Sequence, residues 1–330
     1  MLKPPQPATV PERTHRLAAG QSEVLYLMGS TRLDDFLNYA RDNAVAATDV
    51  DDRAGEKTMA MDLAEAWRDA AQVYDALKLS EPYPVEMPSV FPLPPEIAAH
   101  CEKLLTRPHL QREFDLVPVA LGMVPIAHLI SPQQRINLQT MPLPKPPANL
   151  RQQQAISDQA LAEMCFPLDA PPHRVEVLQH DEGSVTFIAD NHDIRFFRAW
   201  IAQGEVAGYA GRGQVQQLLA LPVGFSANVI NVIRFQNRLV LNNGYHRVYA
   251  LLRRGLTHVP AIIQVCRHWD DVGLTGSSEL YGNGSIYFEG ERPPLLRDFF
   301  DSRLTKSFVV RNSRKFVRLR YQVETGYLRC

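Results

Sequence analysis

A chain of 330 residues with 45% hydrophobic and 22% charged side chains and a formal net charge of −1 belongs to the ordinary soluble class and is long enough for two domains. That balance excludes wholesale disorder and a nucleic-acid-coating protein. The longest apolar run, residues 116–130, is broken by Pro118, Gly122 and Pro125 and falls short of the roughly 20 residues that a membrane-spanning helix needs, so no membrane partner is expected.

Residues 1–16 carry Pro4, Pro5, Pro7 and Pro11 and no apolar core of a secretory signal, from which a cytoplasmic location is expected. Leu33, Phe36, Leu37 and Ala40 recur at helical spacing behind Thr31, a candidate cap with Asp34 three residues on, and predict a helix over residues 32–43. Leu63, Ala66, Trp67, Ala70, Val73, Tyr74 and Leu77 step by three and four, the strongest helical pattern of the N-terminal half. Six prolines between Pro82 and Pro95 deny the backbone its donors and predict an extended connection. Residues 117–130 mix β-branched side chains with Pro and Gly, which suggests one or two strands, and residues 141–147 (MPLPKPP) read as a stiff linker. A helix is predicted over residues 149–164. From Arg174 onward short β-branched runs, 175–178 and 185–188, flank Asp181-Glu182-Gly183 as a hairpin.

The segment with chemical content is residues 229–265, VINVIRFQNRLVLNNGYHRVYALLRRGLTHVPAIIQV. Apolar runs at 229–235 and 239–241 flank the polar turn Gln236-Asn237-Arg238, a hairpin signature. Beyond Asn242-Asn243-Gly244, Val248, Leu251 and Leu252 lie on one side of a helix that Gly255 ends, and Val259-Pro260 opens a further strand. A strand, a glycine turn and a helix in this order direct first-turn N–H groups and the positive end of the helix dipole toward any anion at residues 244–247. Gly244 admits close approach, and His246 and Arg247 offer donors to phosphate oxygens. The same pattern also fits a plain turn, with Gly244 only reversing the chain and the two basic residues solvated.

Asn243-Gly244-Tyr245-His246-Arg247-Val248-Tyr249-Ala250, followed by Gly255, Val259 and Pro260, resembles the Gly-x-x-Arg-x-x-Ala helix and closing Val/Ile-Pro strand of the ParB/sulfiredoxin superfamily. A helix expected over residues 214–220 and a strand over 230–235 fit the family's order of elements, and the resemblance covers residues of about 175–267. It implies a nucleoside triphosphate, CTP or ATP with Mg²⁺, held around its phosphates by Asn243, Gly244, Tyr245, His246 and Arg247. Sulfiredoxins have a cysteine where Tyr245 stands, and a phenol, ionising only near pH ~10, does not replace a thiolate. Partition ParB proteins carry a Glu-Asn-x-x-Arg motif and a downstream helix-turn-helix, and neither is found in residues 264–330.

Other candidates are less specific. Gly208-Tyr209-Ala210-Gly211-Arg212-Gly213 lacks the Walker lysine and reads either as a plain loop, the commoner case, or as a ligand loop that adds Arg212 to the same anion site. Asp190, His192 and Asp193 suit either a metal, an acid–base pair or a capping cluster, and Asp190, Asp193 and Glu205 are the general-base candidates by chemistry alone. Arg314, Phe316, Arg318 and Arg320 align on one face of a predicted strand, a nucleic-acid contact or a solvated outer face balanced by acidic neighbours. Residues 292–300 read as a turn into a short helix that docks Phe299 or Phe300. Cys101, Cys165, Cys266 and Cys330 show no C-x-x-C pair or ligand-like His, so they read as reduced thiols and no metal site is expected.

The expected architecture is therefore α+β: a largely helical region over residues 1–165, a ParB/sulfiredoxin-like domain over 172–267, and a β-containing extension over 268–330. The leading function is a nucleotide-dependent switch, NTPase or kinase; a nucleic-acid-binding or nuclease-like module and a non-catalytic interaction protein, with a protein partner or a second copy, are the alternatives.

Overall fold

The computed structural model describes residues 17–44, 53–139, 156–168, 173–180, 183–197, 199–203, 217–276 and 278–328. In chain order the first elements are β1 (Gln21–Leu27), α1 (Leu33–Asn43), α2 (Arg53–Ser80), α3 (Pro95–Leu105) and α4 (Pro108–Glu113). Then come β2 (Val119–Pro125), β3 (Leu129–Ile130), β4 (Arg135–Asn137) and α5 (Asp158–Cys165). Six strands follow: β5 (Val175–Gln179), β6 (Ser184–Ala189), β7 (Arg195–Phe196), β8 (Trp200–Gln203), β9 (Gln217–Ala220) and β10 (Val223–Gly224). The remainder is β11 (Asn231–Phe235), β12 (Arg238–Asn243), α6 (Tyr245–Arg253), β13 (His258–Cys266), α7 (Trp269–Thr275), α8 (Ser278–Gly282), β14 (Thr305–Arg311) and β15 (Lys315–Arg320). The class is mixed α and β, as expected. Among the described residues no helix is long and apolar enough to cross a membrane.

The chain forms two compact units, one of Met1–Asp169 with Asn228–Asn312, the other of Ala170–Ala227 with Ser313–Cys330. This differs from a division into three consecutive regions. The strand–turn–helix segment belongs with the N-terminal residues because its sheet takes both outer strands from them. That sheet has the order β2-β13-β11-β12-β3. β11 and β12 are an antiparallel hairpin, α6 carries the chain across, and β13 returns parallel to β11, with Val232 opposite Ile263. β2 pairs antiparallel with β13 over seven residues, and β3 pairs parallel with β12. The N-terminal region is therefore less helical than expected. β1, whose Val24, Leu25, Tyr26 and Leu27 are buried, is the centre of a second sheet, β14-β1-β4, on which α1 and α2 pack through Phe36, Ala40, Leu63 and Ala70.

Several local expectations are corrected by the neighbours each segment meets. The N-cap of α1 is Arg32, with no side-chain cap; Thr31 does not take that role. Residues 217–220, expected to continue a helix, are strand β9, paired antiparallel with β8. Cross-strand pairing outweighs the helical preference of its Gln and Leu residues; residues 214–216 lie outside the described residues. Helix α5 begins at Asp158 behind Ser157, whose hydroxyl accepts the Ala160 N–H at 3.2 Å; residues 149–155 of the expected helix lie outside the described residues. The 175–179 and 184–189 strands pair as anticipated, and β15 joins them on the far side of β6 in a β15-β6-β5 sheet.

The most buried charges of the first unit sit in residues 292–300. Arg292 and Asp298, 1% and 3% exposed at the side chain, meet through two N–H···O bonds of 2.9 and 2.6 Å, and Asp298 also accepts the Leu295 N–H at 2.9 Å. The Tyr74 hydroxyl of α2 donates to the Arg292 carbonyl at 2.6 Å, and Glu81 at the end of α2 pairs with Arg297 at 2.7 Å. A short 3₁₀ helix, Leu296–Phe300, then buries Phe299 and stacks Phe300 on Tyr249 of α6. Leaving either charge buried without its partner costs far more than removing both. Asp298→Ala should therefore lower stability by about 3–5 kcal/mol in urea unfolding, whereas the paired change Arg292→Met with Asp298→Leu should lose much less; equal losses would show that the pair itself is net stabilising.

Candidate functional site

The polar residues that end β12 are held from below by a buried network. Asn242 donates through Nδ2 to Asn231 Oδ1 at 2.7 Å and to the Thr275 carbonyl at 3.1 Å, and Asn231 donates to the Ile262 carbonyl at 3.1 Å. The register between β11 and β12 shifts between Asn231 and Val232, which leaves Asn242 as the extra residue between Leu241 and Asn243. Asn243 Oδ1 accepts the Gly244 N–H at 2.7 Å. Gly244 has φ +95° and is buried, and a Cβ placed on it would lie 2.9 Å from Ile230 Cγ1. Both the left-handed backbone and the close approach to Ile230 require glycine. Val248 is the first residue of α6 to close a helical bond, onto Gly244 O at 2.9 Å.

Each expected ligand residue of the turn makes a contact within the protein. The Tyr245 hydroxyl donates back to the Leu241 carbonyl. His246 Nε2 accepts the Asn137 N–H of β4 at 3.1 Å, so that nitrogen carries no proton in this arrangement. Arg247 reaches through one terminal nitrogen to the carbonyls of Met164 (3.2 Å), Cys165 (3.1 Å) and Asn228 (2.9 Å). The expected open fork toward phosphate is thus an anchored guanidinium, half-buried at the helix start. No carboxylate stands in the first turn of α6, and the positive end of the helix carries His246 and Arg247 instead of the acid that usually complements it. Electrostatically this end suits an anion.

The second group of candidates falls in the other unit. Asp193 accepts the Ser226 N–H at 3.0 Å and the Ser226 hydroxyl and pairs with Arg195, while His192 Nε2 meets the Ser313 carbonyl at 2.7 Å. Asp190 lies 3.1 Å from Arg314. These contacts lock turns. Among the described residues no group of three or more His, Cys, Asp or Glu converges on a point that a metal would occupy. On the β15 face, Arg314 pairs with Glu176 at 2.8 Å as well as with Asp190, and Arg318 donates to Thr186 at 3.0 Å while lying 5.4 Å over the Phe316 ring. Arg320 shares that face, opposite Ser184. Arg212, the loop 208–213 and Glu205 lie outside the described residues.

Sequence reasoning missed Asn231, Asn242, Thr275 and Asn137. The Asn-Asn-Gly run was the one available signal; nothing in the chain announces that a β4 backbone N–H meets His246. Cys101, Cys165 and Cys266 are free and buried, and Cys330 lies outside the described residues. Burial pushes Cys101 and Cys165 up to about 12, Arg247 acting in the opposite sense on Cys165, and burial also raises Cys266. Comparison of the chain with protein-family models, with curated proteins and with solved structures finds no match.

Two outcomes follow from this geometry. Gly244→Ala should destabilise the protein by about 1–3 kcal/mol, read as a lower urea midpoint at unchanged slope, because it forces a left-handed alanine against Ile230; an unchanged midpoint would show that the turn tolerates a side chain. At pH 8 the native protein should resist iodoacetamide at Cys101, Cys165 and Cys266 and react after unfolding, since all three are buried, burial pushes Cys101 and Cys165 up to about 12, and burial raises Cys266 as well. Fast native alkylation at any of the three, mapped by peptide mass, would contradict the burial.

Proposed function

We propose that this chain is a nucleotide-binding protein of the ParB/sulfiredoxin kind, holding the phosphates of a nucleoside triphosphate, CTP or ATP with Mg²⁺, at the start of α6. The observation that carries the reading is the passage from β12 through left-handed Gly244 into a helix whose first turn has no acid and two basic side chains. Backbone donors and the helix dipole supply the attraction, Asn243 and Gly244 shape the approach, and Arg247 adds positive charge, with His246 neutral while its Nε2 accepts the Asn137 N–H. Mg²⁺ would arrive with the phosphates and would offset their charge.

Binding and switching are favoured over phosphoryl transfer, because the carboxylates of Asp190 and Asp193 are committed to Arg314, Arg195 and Ser226. The nucleic-acid reading is weaker for a similar reason: two acidic residues already neutralise Arg314, and Arg318 lies on Thr186 and Phe316. Sulfiredoxin-type reduction lacks its thiolate, with Tyr245 in the cysteine's place.

Calorimetric titration with the four nucleoside triphosphates, with and without Mg²⁺, tests the reading; at least one should bind below millimolar concentration. His246→Glu is the discriminating variant. A carboxylate in the first turn favours the helix but repels phosphate, so affinity should fall by about tenfold or more, roughly 1.4 kcal/mol, while the gain at the helix end offsets the lost bond from the Asn137 N–H and a cooperative thermal transition is retained. If none of the four binds at millimolar concentration, or if the glutamate variant binds as tightly as wild type, the nucleotide reading fails and the interaction-protein reading replaces it.

A further inference from the structure

The chain leaves the first unit after Asp169 and re-enters it at Asn228, and the two crossings run side by side inside that unit. On the outgoing side α5 ends at Cys165, Phe166 is fully buried with its carbonyl 2.7 Å from His100 Nε2, and Arg107 donates to the Leu168 carbonyl. On the returning side Val229 and Ile230 are buried, and the Ile230 N–H donates to Cys165 O at 3.0 Å. Arg247 spans both, bonding Met164 O and Cys165 O on one crossing and Asn228 O on the other.

Met164 and Cys165 are the last two residues of α5, where carbonyls have no donor inside the helix and the dipole is negative. A guanidinium is suited to that end: it is permanently charged and planar, and it presents several donors at once. Three carbonyls around one nitrogen that carries two hydrogens means that at least one hydrogen is shared between two acceptors. Hydrogen bonds to a charged donor are stronger than neutral ones, and here they join two chain segments more than sixty residues apart in sequence.

We propose that Arg247 is the clasp of the insertion. It caps α5 and pins the returning segment at Asn228, so the first turn of α6 and the base of the 170–227 insertion form one mechanical element. Strain at either is felt at the other. The proposal goes beyond the nucleotide reading and stands without it, because the contacts are within the protein. Its functional consequence is a direct route by which a change at the α6 turn reaches both crossings of the first unit, at Cys165 and at Asn228.

Native-state amide hydrogen exchange on the full chain, for wild type, Arg247→Lys and Arg247→Gln, makes the test. The reporter is the Ile230 amide, whose bond to Cys165 O lies under the clasp, and the controls are amides of Val232 in β11 and Ile263 in β13. Arg247→Gln should speed exchange at Ile230 by about tenfold or more while the two sheet amides hold. Arg247→Lys, which keeps the charge without the fork, should fall between and folds even if the glutamine variant does not. Unchanged Ile230 exchange in the variants overturns the clasp, and so does equal acceleration at Val232 and Ile263, which would mark Arg247 as general packing.

Discussion

The reversal at Gly244 is the constraint on which the rest of the first unit depends. β12 must end and α6 begin within one residue, directly over Ile230, and no L side chain fits the left-handed backbone in that space. From this one reversal follow the direction of α6, the return of β13 parallel to β11, and the edge positions left for β2 and β3 from the N-terminal half. A different turn would send α6 elsewhere and leave Tyr249 without its stack on Phe300.

The turn is held by polar groups that point inward as well as outward. Asn231 and Asn242 fix the end of the hairpin, Asn243 holds the Gly244 N–H, His246 meets β4 and Arg247 meets α5 and Asn228. Such satisfaction makes a rigid platform, because buried polar groups with partners in place have little freedom left to move. A rigid, acid-free helix start is what an anion site requires before any ligand arrives, since donors already aimed need no reorganisation on binding. The same contacts place Arg247 in a double role, bracing the fold while raising the local positive potential.

Local pattern made part of this legible in the chain. The hairpin at 231–243, the glycine junction, α6 and β13 follow from alternating apolar runs, Gly244, Gly255 and Pro260, and the structure has them there. The 63–77 stripe gave α2 its buried face. What escaped was set by partners distant in sequence: β1 is a strand because Phe308, Val310 and Ile136 lie alongside it, and 217–220 is a strand because Trp200 and Ile201 pair with it. The division of the chain escaped for the same reason, since β2 reaches β13 across more than a hundred residues. At the candidate site, residue types proposed Gly244, His246 and Arg247 but gave no sign of the carbonyls that hold Arg247. Backbone acceptors have no sequence signature.

The claim that the α6 turn holds phosphate is tested most directly by following backbone amide resonances as CTP or ATP with Mg²⁺ is added. The account predicts that the amides of Gly244, Tyr245, His246 and Arg247 shift first and saturate together on one binding curve. Saturable shifts confined to residues away from this turn, or no shifts at millimolar nucleotide, would contradict it.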